Sequence, residues 1–130
     1  MNLVVDCSVI LSSILPGENK QLQYASYKIY APAIFYLECT NVLLSVINRK
    51  RINLEDYQEY LITIQDLPIT IDKFSALAES LYFISELAIQ NNLSSYDASY
   101  LELAIRLKAR VATFDNSLIK ACKAHHIEVL

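Results

Sequence analysis

Glycine is almost absent from this chain: Gly17 is the only one among 130 residues. A dinucleotide fold or a P-loop needs several glycines so that backbone N–H groups can approach a phosphate. Neither motif is present, and no nucleotide cofactor is expected. Gly17 follows Pro16 and reads as a turn. Tryptophan is missing, and the three cysteines, Cys7, Cys39 and Cys122, are odd in number, far apart and without a CxxC pair. That usage excludes a disulfide framework and a thiolate zinc site and leaves buried apolar thiols. No stretch reaches the roughly 18 uninterrupted apolar residues of a membrane span, and Asp6 interrupts the first apolar run where a signal peptide would carry its apolar region. A cytoplasmic chain with no membrane segment is expected. Positive charge is also scarce: eleven Lys and Arg stand against fourteen Asp and Glu, a net charge of −3. Bulk charge will not hold a nucleic acid to such a protein, so an anionic ligand would need local help.

What the chain does have is apolar side chains, 54% of the total, enough for one real core. No linker, repeat or low-complexity run divides residues 1–130, and a single domain is expected. Leu3, Val4 and Val5 predict a short strand ended by Asp6, followed by a helix from Ser8 to about Ile14. A second helix is expected from Glu18 to about Tyr27, then a strand over Lys28 to Ala31. Pro32 suits the first position of a helix continuing to about Arg49. Ile52 to Gln65 predicts a helix capped by Asn53, and Leu67 to Ile71 a strand. Asp72 to about Gln90 has helical spacing, and a further helix carries Asp97. Arg110 to Phe114 predicts a strand, Asn116 to about Ala124 a helix, and Ile127 to Val129 a last strand. Strands separated by helices imply a parallel sheet covered on both faces, with ligands bound outside the carboxyl ends of the strands.

Four acids stand out against this frame. In SSYDASYLELAIRLK, residues 94–108, Asp97 falls in register with Leu101, Ala104 and Ile105, while Ser99, Glu102 and Arg106 gather on the opposite, solvated face. An ionised carboxylate pointed inward needs a hydrogen bond, a partner or a cation. Ser94 followed by Asp97 also fits a capping box, which would give the acid a purely helical duty. Asp6 and Asp115 close LVVD and RVATFD at strand ends, and each is equally readable as the N-cap of the following helix. Glu38 shares a narrow polar stripe with Asn41, Ser45, Asn48 and Arg49 on a helix otherwise rich in apolar residues, among them Phe35, Leu37, Leu43, Leu44, Val46 and Ile47. The stripe is either solvated or the wall of a cleft.

Each acid alone has a structural explanation; their joint arrangement is harder to explain away. Four carboxylates brought together repel unless a cation neutralises them, and oxygen-only ligands favour magnesium or manganese over zinc. His125 and His126 lie in no ligand spacing and suit a solvated connection. The basic run Arg49, Lys50 and Arg51 reads as a solvated helix end or as a place where an anionic substrate gains local charge. A haloacid dehalogenase-like phosphatase would need a second aspartate two residues after Asp6, where Ser8 stands. A phospho-acceptor receiver domain would need an acidic pair there and an acceptor after the third strand, and the chain has neither.

The pieces LVVDCSV, FYLECTNVL, SSYDASYLELA and ATFDNSL, in that order and spanning essentially the whole chain, resemble the PIN domains, and among them the VapC-type toxins of bacterial toxin–antitoxin pairs. The resemblance implies a three-layer α/β/α sandwich with a short central parallel sheet. It implies that Asp6, Glu38, Asp97 and Asp115 bind magnesium, with manganese able to substitute, Asp6 and Asp97 being the surest ligands. Ser8, Asn41 and Thr113 match polar positions that orient the carboxylates or a bound water. The implied activity is magnesium-dependent endoribonuclease cleavage of RNA by metal-activated water. A cognate antitoxin and a homodimer are the implied partners. Cys7 stands where many relatives carry threonine, and Asn116 follows Asp115 where some carry a charged residue, which leaves open how fully a second metal could be held. A PIN-like fold that only binds RNA or protein is the alternative.

Overall fold

The computed structural model describes residues 1–15 and 24–130. Four strands form one sheet: β1 (Asn2–Val5), β2 (Lys28–Pro32), β3 (Ile69–Asp72) and β4 (Arg110–Ala112). Their order is β3-β2-β1-β4, and every pairing is parallel. Among the described residues, six α-helices surround it: α1 (Cys7–Ile14), α2 (Phe35–Asn48), α3 (Leu54–Gln65), α4 (Ser80–Asn91), α5 (Ser95–Leu107) and α6 (Asn116–Ala124).

The central strand explains the layering. Successive side chains of a strand point to opposite faces, so Leu3 and Val5 enter one core with Val9, Phe35, Leu43 and Ile64. Val4 enters the other with Tyr100, Leu101, Leu118 and Cys122. Leu3, Val4 and Val5 of β1 are all fully buried, as a strand covered on both sides requires. The result is the three-layer α/β/α sandwich with α1, α2 and α3 on one side and α5 and α6 on the other. Helix α4 packs against α5. No helix among the described residues is long and apolar enough to cross a membrane.

Four helix starts are set by the side chain immediately before them. Asp6, Asn53, Ser94 and Asp115 accept backbone N–H bonds from Val9, Asp56, Asp97 and Leu118 respectively, satisfying donors that a first helical turn leaves open. The N-cap readings of Asp6 and Asp115 and the Ser94 cap are therefore correct as local structure. The three cysteines are free; Cys39 and Cys122 are buried, and burial pushes the Cys122 thiol up to about 11.

Several expectations change. The turn at Gly17 and most of the helix expected over Glu18 to Tyr27 lie outside the described residues; Tyr24 to Tyr27 is a turn, closed by the Tyr27 N–H on the Tyr24 carbonyl at 2.9 Å. The strand expected from Leu67 begins at Ile69, and the one expected to end at Phe114 ends at Ala112. The helix expected from Asp72 is two pieces, a 3₁₀ turn at Phe74–Ala76 and then α4, separated by an extended Leu77. Asp72 causes this by ending β3 and accepting the Phe74 N–H at 3.0 Å. The last strand contracts to one parallel bridge between Val111 and Val129.

The outer face of α5 was misjudged from periodicity. Ser99 and Glu102 are 5% and 7% exposed, whereas Ile105 is 41% exposed. Glu102 tolerates burial because the Arg106 guanidinium donates to it at 2.6 Å and also donates to Asp72 at 2.6 and 3.1 Å. The same guanidinium lies 5.0 Å from the Phe74 ring centroid and holds the Asp72 carboxyl below its usual range. On α2, Leu37 and Leu44 are exposed rather than part of the buried arc.

Candidate active site

The carboxyl ends of adjacent parallel strands β1 and β4 bring Asp6 beside the loop that leads to Asp115, because Val5 pairs with Ala112 and the Asp6 N–H donates to the Ala112 carbonyl at 3.2 Å. Asp6 is only 8% exposed, so its charge must be compensated. Its Oδ1 accepts from the Ser8 hydroxyl at 2.6 Å and the Val9 N–H at 3.3 Å. Its Oδ2 accepts from the Thr113 hydroxyl.

These hydroxyls stitch the two strand ends together. Ser8 Oγ accepts the Phe114 N–H at 3.2 Å, and Thr113 Oγ1 accepts the Asp115 N–H at 3.0 Å. A chain of hydrogen bonds thus runs from the loop after β4 through each hydroxyl to Asp6. Burial raises the Asp6 pKa, and the bonds from Ser8, Thr113 and the Val9 N–H pull the other way.

Glu38 and Asp97 complete the group from the helices. Burial raises the Asp97 pKa, the Asp115 charge adds to the rise, a hydrogen bond with Ser94 opposes it, and the Asp6 charge raises it further. Glu38 is raised chiefly by burial, opposed by a hydrogen bond from Tyr100, and raised again by the charges of Asp97 and Asp6. Asp97 therefore lies in the field of both strand-end acids, and Glu38 in that of Asp97 and Asp6.

Tyr100 was not foreseen as part of this site. It is 1% exposed, and its hydroxyl donates to Glu38 Oε1 at 2.5 Å. The signal available in the sequence was its position three residues after Asp97, one turn along the same face. Beside the acids, Cys7 packs against the buried Cys39, linking the neighbours of Asp6 and Glu38.

The other polar positions are placed differently. Asn41 lies one turn beyond Glu38 on α2 and is exposed. Arg49, Lys50 and Arg51 follow the far end of α2, all exposed, roughly 16 Å from Glu38 along the helix axis. The structure brings Asp6, Ser8, Thr113 and Asp115 into one network, sets Glu38 and Asp97 in its field, and leaves the basic run apart.

The donor set is oxygen-only, carboxylates and hydroxyls, the chemistry that suits a hard dication. Among the described residues, no three His, Cys, Asp or Glu side chains are clustered tightly enough to hold a metal ion as they stand. The Asp6 oxygens accept from hydroxyls and an N–H, and Glu38 Oε1 accepts from a phenol. The residues fit such an ion by chemistry, and holding one would require side-chain movement.

A parallel α/β/α domain with acids after two neighbouring strands defines a class of proteins that work at the carboxyl edge of the sheet. The chain belongs to the PIN domain family, whose model matches residues 3–124. It is 32% identical over 114 residues to VapC ribonuclease Mb0985 of Mycobacterium bovis, covering 87% of this chain and 85% of that one. The figures are the same for ribonuclease VapC9 of Mycobacterium tuberculosis. Among solved structures, PAE2754 from Pyrobaculum aerophilum superposes with a TM-score of 0.73 at 18% identity, covering 99% of this chain and 83% of that one. FitAcB from Neisseria gonorrhoeae gives 0.63 at 16% identity, with 98% and 96% covered. At those identities the structural likeness speaks for the fold alone.

Proposed function

We propose that this chain is a magnesium-dependent endoribonuclease that cleaves RNA with a metal-activated water and acts as the toxin of a toxin–antitoxin pair. The observation that supports this reading is the placement of Asp6 and Asp115 after adjacent strands, joined through the Thr113 hydroxyl, with Glu38 and Asp97 in the field of Asp6, in a chain related to VapC ribonucleases. Asp6 and Asp97 would hold the ion, with Glu38 and Asp115 completing the oxygen set. Such a dication lowers the pKa of a bound water and offsets charge on a phosphodiester.

The chain's own residues do the rest. Ser8 and Thr113 orient Asp6 through its two oxygens. Ser94 starts α5 through its bond from the Asp97 N–H, and the Asp97 carboxylate would turn to the site. Asn41 would orient a water or a ligand beside Glu38. Arg49, Lys50 and Arg51 would bind RNA phosphates away from the scissile bond, giving an acidic protein the local positive charge it otherwise lacks. Exposed apolar side chains on α2 and α4, among them Leu37, Leu44, Leu81, Tyr82, Phe83 and Ile89, support an interface with a second copy. The inhibiting antitoxin would cover the site from a neighbouring surface. Such a pair works in the cytoplasm, where its RNA is.

The test is cleavage of total RNA by the purified protein, with end mapping of the products. Cutting is expected with magnesium or manganese and is lost on chelation, in Asp6→Asn and in Asp97→Asn. Undiminished cutting by folded Asp97→Asn would sink the assignment. The second reading is a catalytically weak PIN-like RNA- or protein-binding module; among the described residues no three acids are gathered closely enough to hold an ion as they stand. That reading predicts RNA retention without cleavage, indifferent to both substitutions. Growth arrest on expression, relieved by a small adjacent reading frame, separates a toxin from a housekeeping ribonuclease.

A further inference from the structure

We propose that Tyr100 is a positioning residue for Glu38, and that its hydroxyl restrains the carboxylate that would help to hold a divalent cation. The proposal rests on the metal-dependent reading of the site and adds to it a residue outside the four acids.

The geometry is specific. Tyr100 lies in α5, one turn after Asp97. Its ring belongs to the core formed with Val4, Leu101, Leu103 and Leu118, and at 1% exposure the side chain is immobilised by close packing. Its hydroxyl emerges from that core onto Glu38 Oε1 at 2.5 Å, across 62 residues of chain. That length belongs to short, charge-assisted O–H···O⁻ bonds. Glu38 itself is on α2, on the other side of the sheet from the Tyr100 ring. One helix therefore carries Asp97 and, a turn later, the group that restrains Glu38.

A buried tyrosine needs a partner for its hydroxyl, and a purely structural role would end there. The two roles separate because glutamate has three rotatable bonds. Without the phenol, α2 would still place the Glu38 backbone, but the carboxylate would sample several rotamers. Groups that orient a metal-binding side chain typically change affinity 10- to 100-fold when removed.

Tyr100→Phe deletes one oxygen and keeps the ring. The first readout uses metal-free protein: order of the Glu38 carboxyl carbon by ¹³C relaxation. It is expected to fall in Tyr100→Phe while the neighbouring backbone stays as ordered as in the parent. Equal Glu38 order in the two proteins overturns the proposal, whether or not the parent binds metal. The second readout is Mn²⁺ binding by calorimetry, expected to weaken about 10- to 100-fold, with the loss absent when both proteins carry Glu38→Gln. Parent-like Mn²⁺ affinity in folded Tyr100→Phe overturns the positioning role. Failure of the parent itself to bind Mn²⁺ overturns the metal-dependent reading and the cation clause here, while the relaxation result still decides whether Tyr100 restrains Glu38. Should Tyr100→Phe fail to fold, Glu38→Asp replaces it: the shorter side chain withdraws from an intact phenol. Greater disorder of the carboxyl is expected there, and parent-like order would overturn the proposal.

Discussion

Thr113 and Asp6, 107 residues apart, share a buried hydrogen bond in which the threonine hydroxyl donates to Asp6 Oδ2. The same hydroxyl oxygen accepts the Asp115 N–H at 3.0 Å. A single side chain thus holds one strand-end acid by its carboxylate and the other by its backbone. The contact also closes the sheet edge where β1 and β4 run in parallel.

Thr113→Val keeps the shape and removes both bonds. Hydrogen bonds to buried charged groups contribute about 1.5–3 kcal/mol, and leaving a partner unsatisfied is what makes their loss costly. Urea denaturation of metal-free Thr113→Val is expected to show a loss of about that size, with Thr113→Ser near the parent. Because the Thr113 bond lowers the Asp6 pKa against burial, the Asp6 carboxyl should titrate higher still in the valine variant. An unchanged denaturation midpoint and an unchanged Asp6 titration would show that the bond is incidental.

The parts of this architecture that were legible in the sequence are those set within a few residues. Asp6, Asn53, Ser94 and Asp115 announce their helices because a cap needs only its own side chain and the N–H three residues on. The burial of β1 was legible because Leu3, Val4 and Val5 form an unbroken apolar run. What was misread depends on distant partners. Glu102 is buried only because Arg106 also reaches Asp72, 34 residues earlier, and no helical wheel contains that residue. The role of Tyr100 is likewise set at a distance, because its hydroxyl meets an acid 62 positions away. The segment from Asp72 has helical spacing, but Asp72 ends β3 and accepts the Phe74 N–H, and the 3₁₀ turn that follows stops where Leu77 turns extended.

The scarcity of glycine has a local consequence at Lys108. Helix α5 ends there in the left-handed region, φ 51° and ψ 44°, a conformation that costs an L-residue with a Cβ roughly 1–2 kcal/mol. Glycine is the usual occupant of such a cap, and Lys108 is exposed. Part of the gain is offset because glycine loses more backbone freedom on folding. Lys108→Gly is expected to raise stability by about 0.5–1 kcal/mol, read as a higher urea midpoint with an unchanged slope. A lower midpoint would show that the lysine side chain contributes more than its backbone strain costs.

On the metal-dependent reading proposed above, the acids at the sheet edge would link stability to pH and to metal together. Asp6, Glu38 and Asp97 are all raised above the ordinary carboxylate value, chiefly by burial. An acid with a raised folded pKa binds its proton more tightly in the folded chain than in the unfolded one. Its stabilising contribution is therefore fully present below the unfolded pKa, about 4, and is lost as pH rises through the raised folded value. Metal-free protein should lose stability across that window. Magnesium or manganese competes with the same protons, since a ligating carboxylate must be ionised. At pH 8 and a metal concentration 100 times Kd the cation is expected to add about 2.7 kcal/mol, and at pH 4 almost nothing. Thermal unfolding with and without Mn²⁺ at the two pH values reads this directly, and Asp97→Asn should remove most of the shift at pH 8. A metal-induced shift of equal size at both pH values, or one that survives combined Asp6→Asn and Asp97→Asn substitution, would place the cation somewhere other than these acids.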